Sequence, residues 1–114
     1  MLKRSNRLHL KRDISSVRRL GKVKRGELFN IWYIKNGKQA PRIGIVVSKK
    51  VSSKAVERNK LTRWVRASVL NYIPDLALVD ILVVAFRPFP HYSHEESEKD
   101  LLSLFKNAGL IKEK

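Results

Sequence analysis

Two short runs, Ile43-Gly44-Ile45-Val46-Val47 and Ile81-Leu82-Val83-Val84-Ala85, contain no charged side chain. The first does not alternate apolar with polar, so as a strand it needs cover on both faces. The second reads as a buried strand over 80–86, closed by Arg87-Pro88 and Pro90. Between them, residues 55–72 make an amphipathic helix. On a helical wheel Leu61, Trp64, Val65, Ser68, Val69 and Tyr72 share one arc, while Asn59, Arg63 and Arg66 lie opposite. A chain of 114 residues has room for one core built from such pieces, and a hydrophobic share of 43% is enough to fill it.

The rest of the chain supplies further elements. Residues 13–20 suit a short helix, with Asp13 as N-cap, Ile14, Val17 and Leu20 along one side, and Gly21 to end it. Residues 22–34 read as strand, interrupted by a turn at Gly26. Asn36-Gly37 is a turn pair that predicts a hairpin into the strand 42–48. The last helix starts at a capping box, Ser93 with Glu96, carries Leu101, Leu104, Phe105 and Ala108 as its stripe, and stops at Gly109. The sum is an α+β fold: a single domain over 1–114, a four-stranded sheet with about three helices, and residues 1–10 as a basic, extended or mobile arm.

Charge narrows the partner. The net charge is +15, and residues 1–66 hold 20 Lys/Arg against three acids, Asp13, Glu27 and Glu57. An excess confined to one half marks a binding face for a polyanion. Nucleic acid comes before an anionic membrane, because the basic half is not one amphipathic helix. The absence of cysteine removes disulfides, thiolate zinc sites and a cysteine nucleophile. No secretory signal and no bilayer-length apolar run is visible, so a soluble, cytoplasmic protein is expected.

The stretch 42–66 concentrates the signal, with eight Lys/Arg and one acid. Lys49 and Lys50 fall where the strand emerges, Arg58-Asn59-Lys60 opens the helix, and Arg63 and Arg66 continue along it. Guanidinium forks grip phosphate oxygens, Lys adds point charge, and an Asn amide reaches sugar or base edges. An ordinary solvated face would mix these cations with acids, and here almost none are present.

The run Arg42-Ile43-Gly44-Ile45-Val46-Val47-Ser48-Lys49-Lys50-Val51, with Ala55-Val56 and Arg58-Asn59-Lys60, resembles the signature of the bacterial ribonuclease P protein family. Leu2-Lys3-Arg4 and Asn6-Arg7-Leu8 resemble that family's opening. The resemblance implies a ribosomal protein S5 domain 2-like fold, with a left-handed crossover between strands 42–48 and 80–86 where general rules favour a right-handed one. It also implies two RNA partners, the ribonuclease P RNA subunit and precursor tRNA. The RNA, with Mg²⁺, performs the hydrolysis, and the protein holds no cofactor of its own. Lys49, Lys50, Arg58, Asn59, Lys60, Arg63 and Arg66, singled out above by charge and position, are the expected RNA-binding residues. The family lines a cleft for the 5′ leader with aromatics on its first helix, and those positions are Ile14 and Arg18 here. Trp32 stands at a third aromatic position, with Phe29 nearby, and the sheet face with the adjoining last helix would wall the cleft. Trp32 also suits a core, and packing separates the two readings.

No catalytic set accompanies this. The carboxylates are scattered, Ser48 lacks a base, and His91 and His94 with Glu95 and Glu98 lack a clear third ligand. A structural ribosomal or assembly protein fits the composition equally. A nuclease acting alone is disfavoured by the missing carboxylate cluster.

Overall fold

A computed structural model describes residues 3–111. Strands β1 (Lys22–Arg25), β2 (Phe29–Lys35), β3 (Arg42–Val46) and β4 (Val79–Ala85) form one sheet in the order β1-β2-β4-β3. The β1–β2 and β2–β4 pairs are antiparallel, and β3–β4 is parallel. Helices α1 (Lys11–Leu20), α2 (Ala55–Tyr72) and α3 (His94–Asn107) complete the α+β fold.

The sheet separates two apolar layers. Odd-numbered β4 residues, Val79, Ile81, Val83 and Ala85, join Phe29, Ile31 and Ile43 beneath α2 and α3. Leu61, Val65 and Val69 come down from α2, and Leu101, Leu104 and Phe105 from α3. On the opposite face Leu82 packs against Val17 of α1 and Leu8, with Ile14, Trp32, Ile34, Val46 and Val84 around them. Both faces of β4 are therefore covered, as its unbroken apolar run requires.

The hairpin expected at Asn36-Gly37 does not form, because β4 inserts between β2 and β3. The local turn chemistry is present: Gly37 has φ +63°, and Asn36 Oδ1 accepts the Lys38 N–H at 2.8 Å. Burial of β4 at the sheet centre outweighs the neighbour pairing such a turn favours. The hairpin that exists joins β1 to β2 at Gly26, whose N–H donates to the Phe29 carbonyl at 2.8 Å.

Two further expectations change. Helix α1 starts at Lys11 with Leu10 in the capping position, so Asp13 is not the N-cap. Its carboxylate instead accepts from Arg42 Nη1 at 3.3 Å, across to the sheet. The arm is also partly fixed. Asn6 Nδ2 donates to the Pro41 carbonyl at 2.8 Å, and the Leu8 N–H to the Ile43 carbonyl at 2.9 Å. Leu8 passes so close to β3 that a Cβ on Gly44 would lie 2.9 Å from its carbonyl oxygen.

Helix α3 has the predicted boundaries. Ser93 Oγ accepts the Glu96 N–H, and Glu96 Oε1 accepts the Ser93 N–H, both at 3.1 Å. At its end Gly109 takes φ +71°, and the Leu110 N–H returns to the Phe105 carbonyl at 3.0 Å.

Candidate RNA interface

The first surface is the outer side of α2. Asn59, Arg63 and Arg66 recur at helical spacing and are exposed beside Lys60. Leu61, Val65 and Ser68, on the other side, are fully buried and fix which way the stripe points. Lys49 and Lys50 sit in the turn after β3, closed by the Val51 N–H to the Ser48 carbonyl at 3.0 Å. Buried Val51 anchors that turn, so both lysines face outward. The acid of this region, Glu57, accepts the Ser52 hydroxyl at 2.6 Å and leaves the cations unopposed. Among the described residues, Lys49, Lys50, Lys60, Arg63 and Arg66 form no ion pair.

Arg58 behaves differently. It is half-buried, and Nη1 donates to the Ser52 carbonyl at 2.9 Å. One arm of its fork thus ties α2 to the preceding loop. Lys60 Nζ stands 5.4 Å from the ring centroid of Trp64. Trp64 in turn stacks on His94 at 5.1 Å and 13° and meets Phe89 edge-on at 5.1 Å. His94 is committed to that stack and to Glu98, 3.4 Å away.

The second surface lies on the other face of the sheet. Helix α1 is held over it by Val17 and Ile14. Ile14, Arg18 and Trp32 come together here, and the Arg18 guanidinium carbon lies 4.9 Å from the Trp32 ring centroid. Trp32 is half-buried, opposite Val23 on one side and Leu82 on the other. Phe29 does not belong to this cleft. It is 0% exposed in the core beneath α2 and α3, because positions 29 and 32 on one strand point to opposite faces. The last helix does not adjoin Trp32 either: α3 packs on the Phe29 face, and α1 lies on the Trp32 face.

Sequence reasoning missed the network that positions α1. Asp80 is 6% exposed on β4, and its carboxylate accepts Arg42 Nε at 2.8 Å, Arg42 Nη2, and Asn36 Nδ2 at 3.1 Å. Arg42 also reaches Asp13 on α1. Donation of hydrogen bonds to Asp80 raises the pKa of the guanidinium, aided by the charges of both acids and opposed by burial. Arg42 is therefore an internal strut and not one of the outward cations. The available signal was a lone acid beside a buried apolar run, with an Arg at the start of its neighbour. Asp100 is a second such case: it accepts the backbone N–H groups of Glu27, Leu28 and Phe29, each at 3.0 Å, and clamps α3 to the β1–β2 turn.

The model of the family described as Ribonuclease P matches residues 2–109. A ribonuclease P protein component from Syntrophomonas wolfei is 33% identical over 112 residues, covering 97% of this chain and 93% of the relative. The solved ribonuclease P protein of Thermotoga maritima superposes with a TM-score of 0.78 at 34% identity, covering 89% of this chain and 96% of that one. That of Staphylococcus aureus gives 0.87 at 25% identity, covering 94% and 98%. On the match over residues 2–109 and these relatives, this chain belongs to the bacterial ribonuclease P protein family.

Proposed function

We propose that the two surfaces divide the work of a ribonuclease P protein subunit, with the outer face of α2 on the catalytic RNA and the cleft beneath α1 on the 5′ leader of precursor tRNA. Lys49, Lys50, Asn59, Lys60, Arg63 and Arg66 supply the first contact, with the free part of the Arg58 fork. Ile14, Arg18 and Trp32 supply the second. The observation that carries the reading is the half-buried Trp32 with the Arg18 guanidinium over its ring beneath α1, across the sheet from the basic stripe. A flat aromatic flanked by positive charge is what a single-stranded segment needs, since bases stack without regard to sequence.

The chemistry belongs to the RNA and its Mg²⁺. Five carboxylates are occupied structurally: Asp13 and Asp80 by Arg42, Asp100 by the β1–β2 turn, Glu96 by the α3 cap and Glu57 by Ser52. The protein's contribution is electrostatic and positional, and the product is tRNA with a mature 5′ end. Among the described residues no helix is long and apolar enough to cross a membrane, and the cytoplasm, where precursor tRNA is processed, is the proposed location.

Trp32→Ala tests the cleft in the holoenzyme reconstituted with a bacterial ribonuclease P RNA. A lost stack should weaken precursor tRNA by roughly 1–3 kcal/mol, with mature tRNA and the salt slope unchanged. Equal weakening toward both RNAs, with a large loss of thermal stability, would return Trp32 to the core. The RNA-free protein should not cleave precursor tRNA, and cleavage by it would refute the division of labour.

A further inference from the structure

A groove of about 1000 Å³ opens at the end of the sheet where β4 begins. Leu20, Leu78, Val79, Ala108 and Leu110 give it an aliphatic lining, and Tyr33 is its one aromatic residue. Lys22, Lys35 and Lys38 stand on it, and its lining includes no acid. These three exposed lysines form no ion pair among the described residues. Leu20 is 63% and Leu78 51% exposed, so each leaves apolar surface in water that packing within the chain does not use.

We propose that this groove docks an acidic amphipathic helix of another protein, with aliphatic side chains in the recess and carboxylates on the three lysines. Unopposed cations around an aliphatic recess match a ligand that is both acidic and apolar. RNA would supply the charge, but bases stack on aromatic rings, and half-buried Tyr33 is the only ring in the lining. A second copy of the chain would bring a net charge of +15 against the same sign. An added strand needs a row of open backbone groups, and Lys22 is the only residue of the edge strand β1 in the lining. A helix laid in a groove is held by side-chain anchors instead. The groove also lies apart from both proposed RNA surfaces. Strands β3 and β4 run parallel from the rung Arg42–Asp80 to the rung Val46–Val84, so Lys49 and Lys50 leave the sheet at the end opposite Val79. Tyr33, Val79, Ala108 and Leu110 belong to the layer beneath α2 and α3, across the sheet from Trp32.

The test uses the full chain, free and in the holoenzyme reconstituted with a bacterial ribonuclease P RNA. The probe is a fluorescent synthetic helix of leucine, alanine and glutamate, with the leucines along one face and glutamates flanking them. Fluorescence anisotropy at moderate salt should show binding to the free protein that persists in the holoenzyme. Leu20→Ala/Leu78→Ala, which truncates exposed side chains and spares the fold, should weaken the probe on the order of tenfold without altering cleavage of precursor tRNA. Lys22→Ala/Lys35→Ala/Lys38→Ala should weaken it as much and flatten its salt dependence. Arg63→Ala/Arg66→Ala, which removes charge outside the groove, should leave probe binding unchanged. The proposal is overturned if the leucine variant binds the probe as wild type does. It is equally overturned if the arginine variant weakens binding as much as the lysine variant, because diffuse charge would then be the cause. Displacement of the probe by a uridine oligonucleotide, or its loss in the holoenzyme, would make the groove an RNA surface and also overturn the proposal.

Discussion

Removing Arg42 separates structural charge from RNA-binding charge. Its guanidinium holds the Asp80 carboxylate through two donors, Nε at 2.8 Å and Nη2, and bridges to Asp13 on α1 at 3.3 Å. Asp80 is 6% exposed on the central strand, and in Arg42→Ala the Asn36 amide would remain as its side-chain partner among the described residues. Breaking one side of a buried ion pair costs about 3–5 kcal/mol, because the remaining charge is stranded. That is a large part of a stability of roughly 5–15 kcal/mol. In the double variant Arg42→Ala/Asp80→Ala no charge is stranded, so the loss should be well short of the sum of the two single losses. Urea unfolding of the four proteins gives the coupling directly. Arg42 is neutralised by two acids, so its loss should leave the salt slope of RNA binding unchanged, measured at a temperature where the variant is folded. Additive stability losses, or a slope that falls as it does for an exposed arginine, would refute the assignment.

Other positions give sharper single readouts. Arg63→Ala/Arg66→Ala should keep the wild-type unfolding midpoint while its salt slope for the catalytic RNA falls by about 0.7–0.9 per lost phosphate contact; adding Arg58→Ala should also cost stability, because the bond to Ser52 is lost. Burial pushes the Tyr92 hydroxyl up to about 12, with Asp100 adding to the shift and Arg87 opposing it. The folded state therefore holds this proton more tightly than the unfolded chain. The stabilisation is complete below about pH 10 and is lost as pH rises through 12, by at most about 3 kcal/mol. Tyr92→Phe, which keeps the edge contact with Phe89, should show less loss over that window in denaturant titrations; parallel curves would remove Tyr92 as the cause.

What was legible in the sequence was local. The Ser93–Glu96 box and Gly109 bound α3 because caps are read within one turn, and the wheel of α2 separated Leu61 and Val65 from Arg63 and Arg66 because helical period needs no partner. What was illegible depended on distant neighbours. Asn36-Gly37 makes its turn, but the strand placed beside β2 is β4, and only burial on both faces decides that. Asp13 looks like a cap until Arg42 arrives from β3. Phe29 could have been excluded from the cleft by parity alone, since it lies three residues from Trp32 on one strand. Arg18 over Trp32 could not have been found that way, because it needs the packing of α1 on the sheet.

That packing also decides how the proposed leader cleft opens. Helix α1 is fixed by Val17 and Ile14 in the second apolar layer and by Asp13 on Arg42. Lifting it would expose that layer, at roughly 1.5–3 kcal/mol for each large apolar side chain. The Arg18 guanidinium lies over the Trp32 ring, a cation–π contact worth about 0.5–1 kcal/mol at a solvated site. A stacked base returns about 1–3 kcal/mol, which exceeds the cost of moving one exposed side chain but not that of moving the helix. If the proposed cleft takes a leader base, the base would enter by a swing of Arg18, with α1 left in place. The displaced guanidinium would then be available to pair with a phosphate of the bound strand. On the proposed reading, an arginine at this position would cover the Trp32 ring and then offer charge to the bound strand, where an aromatic residue would offer a second stacking surface instead.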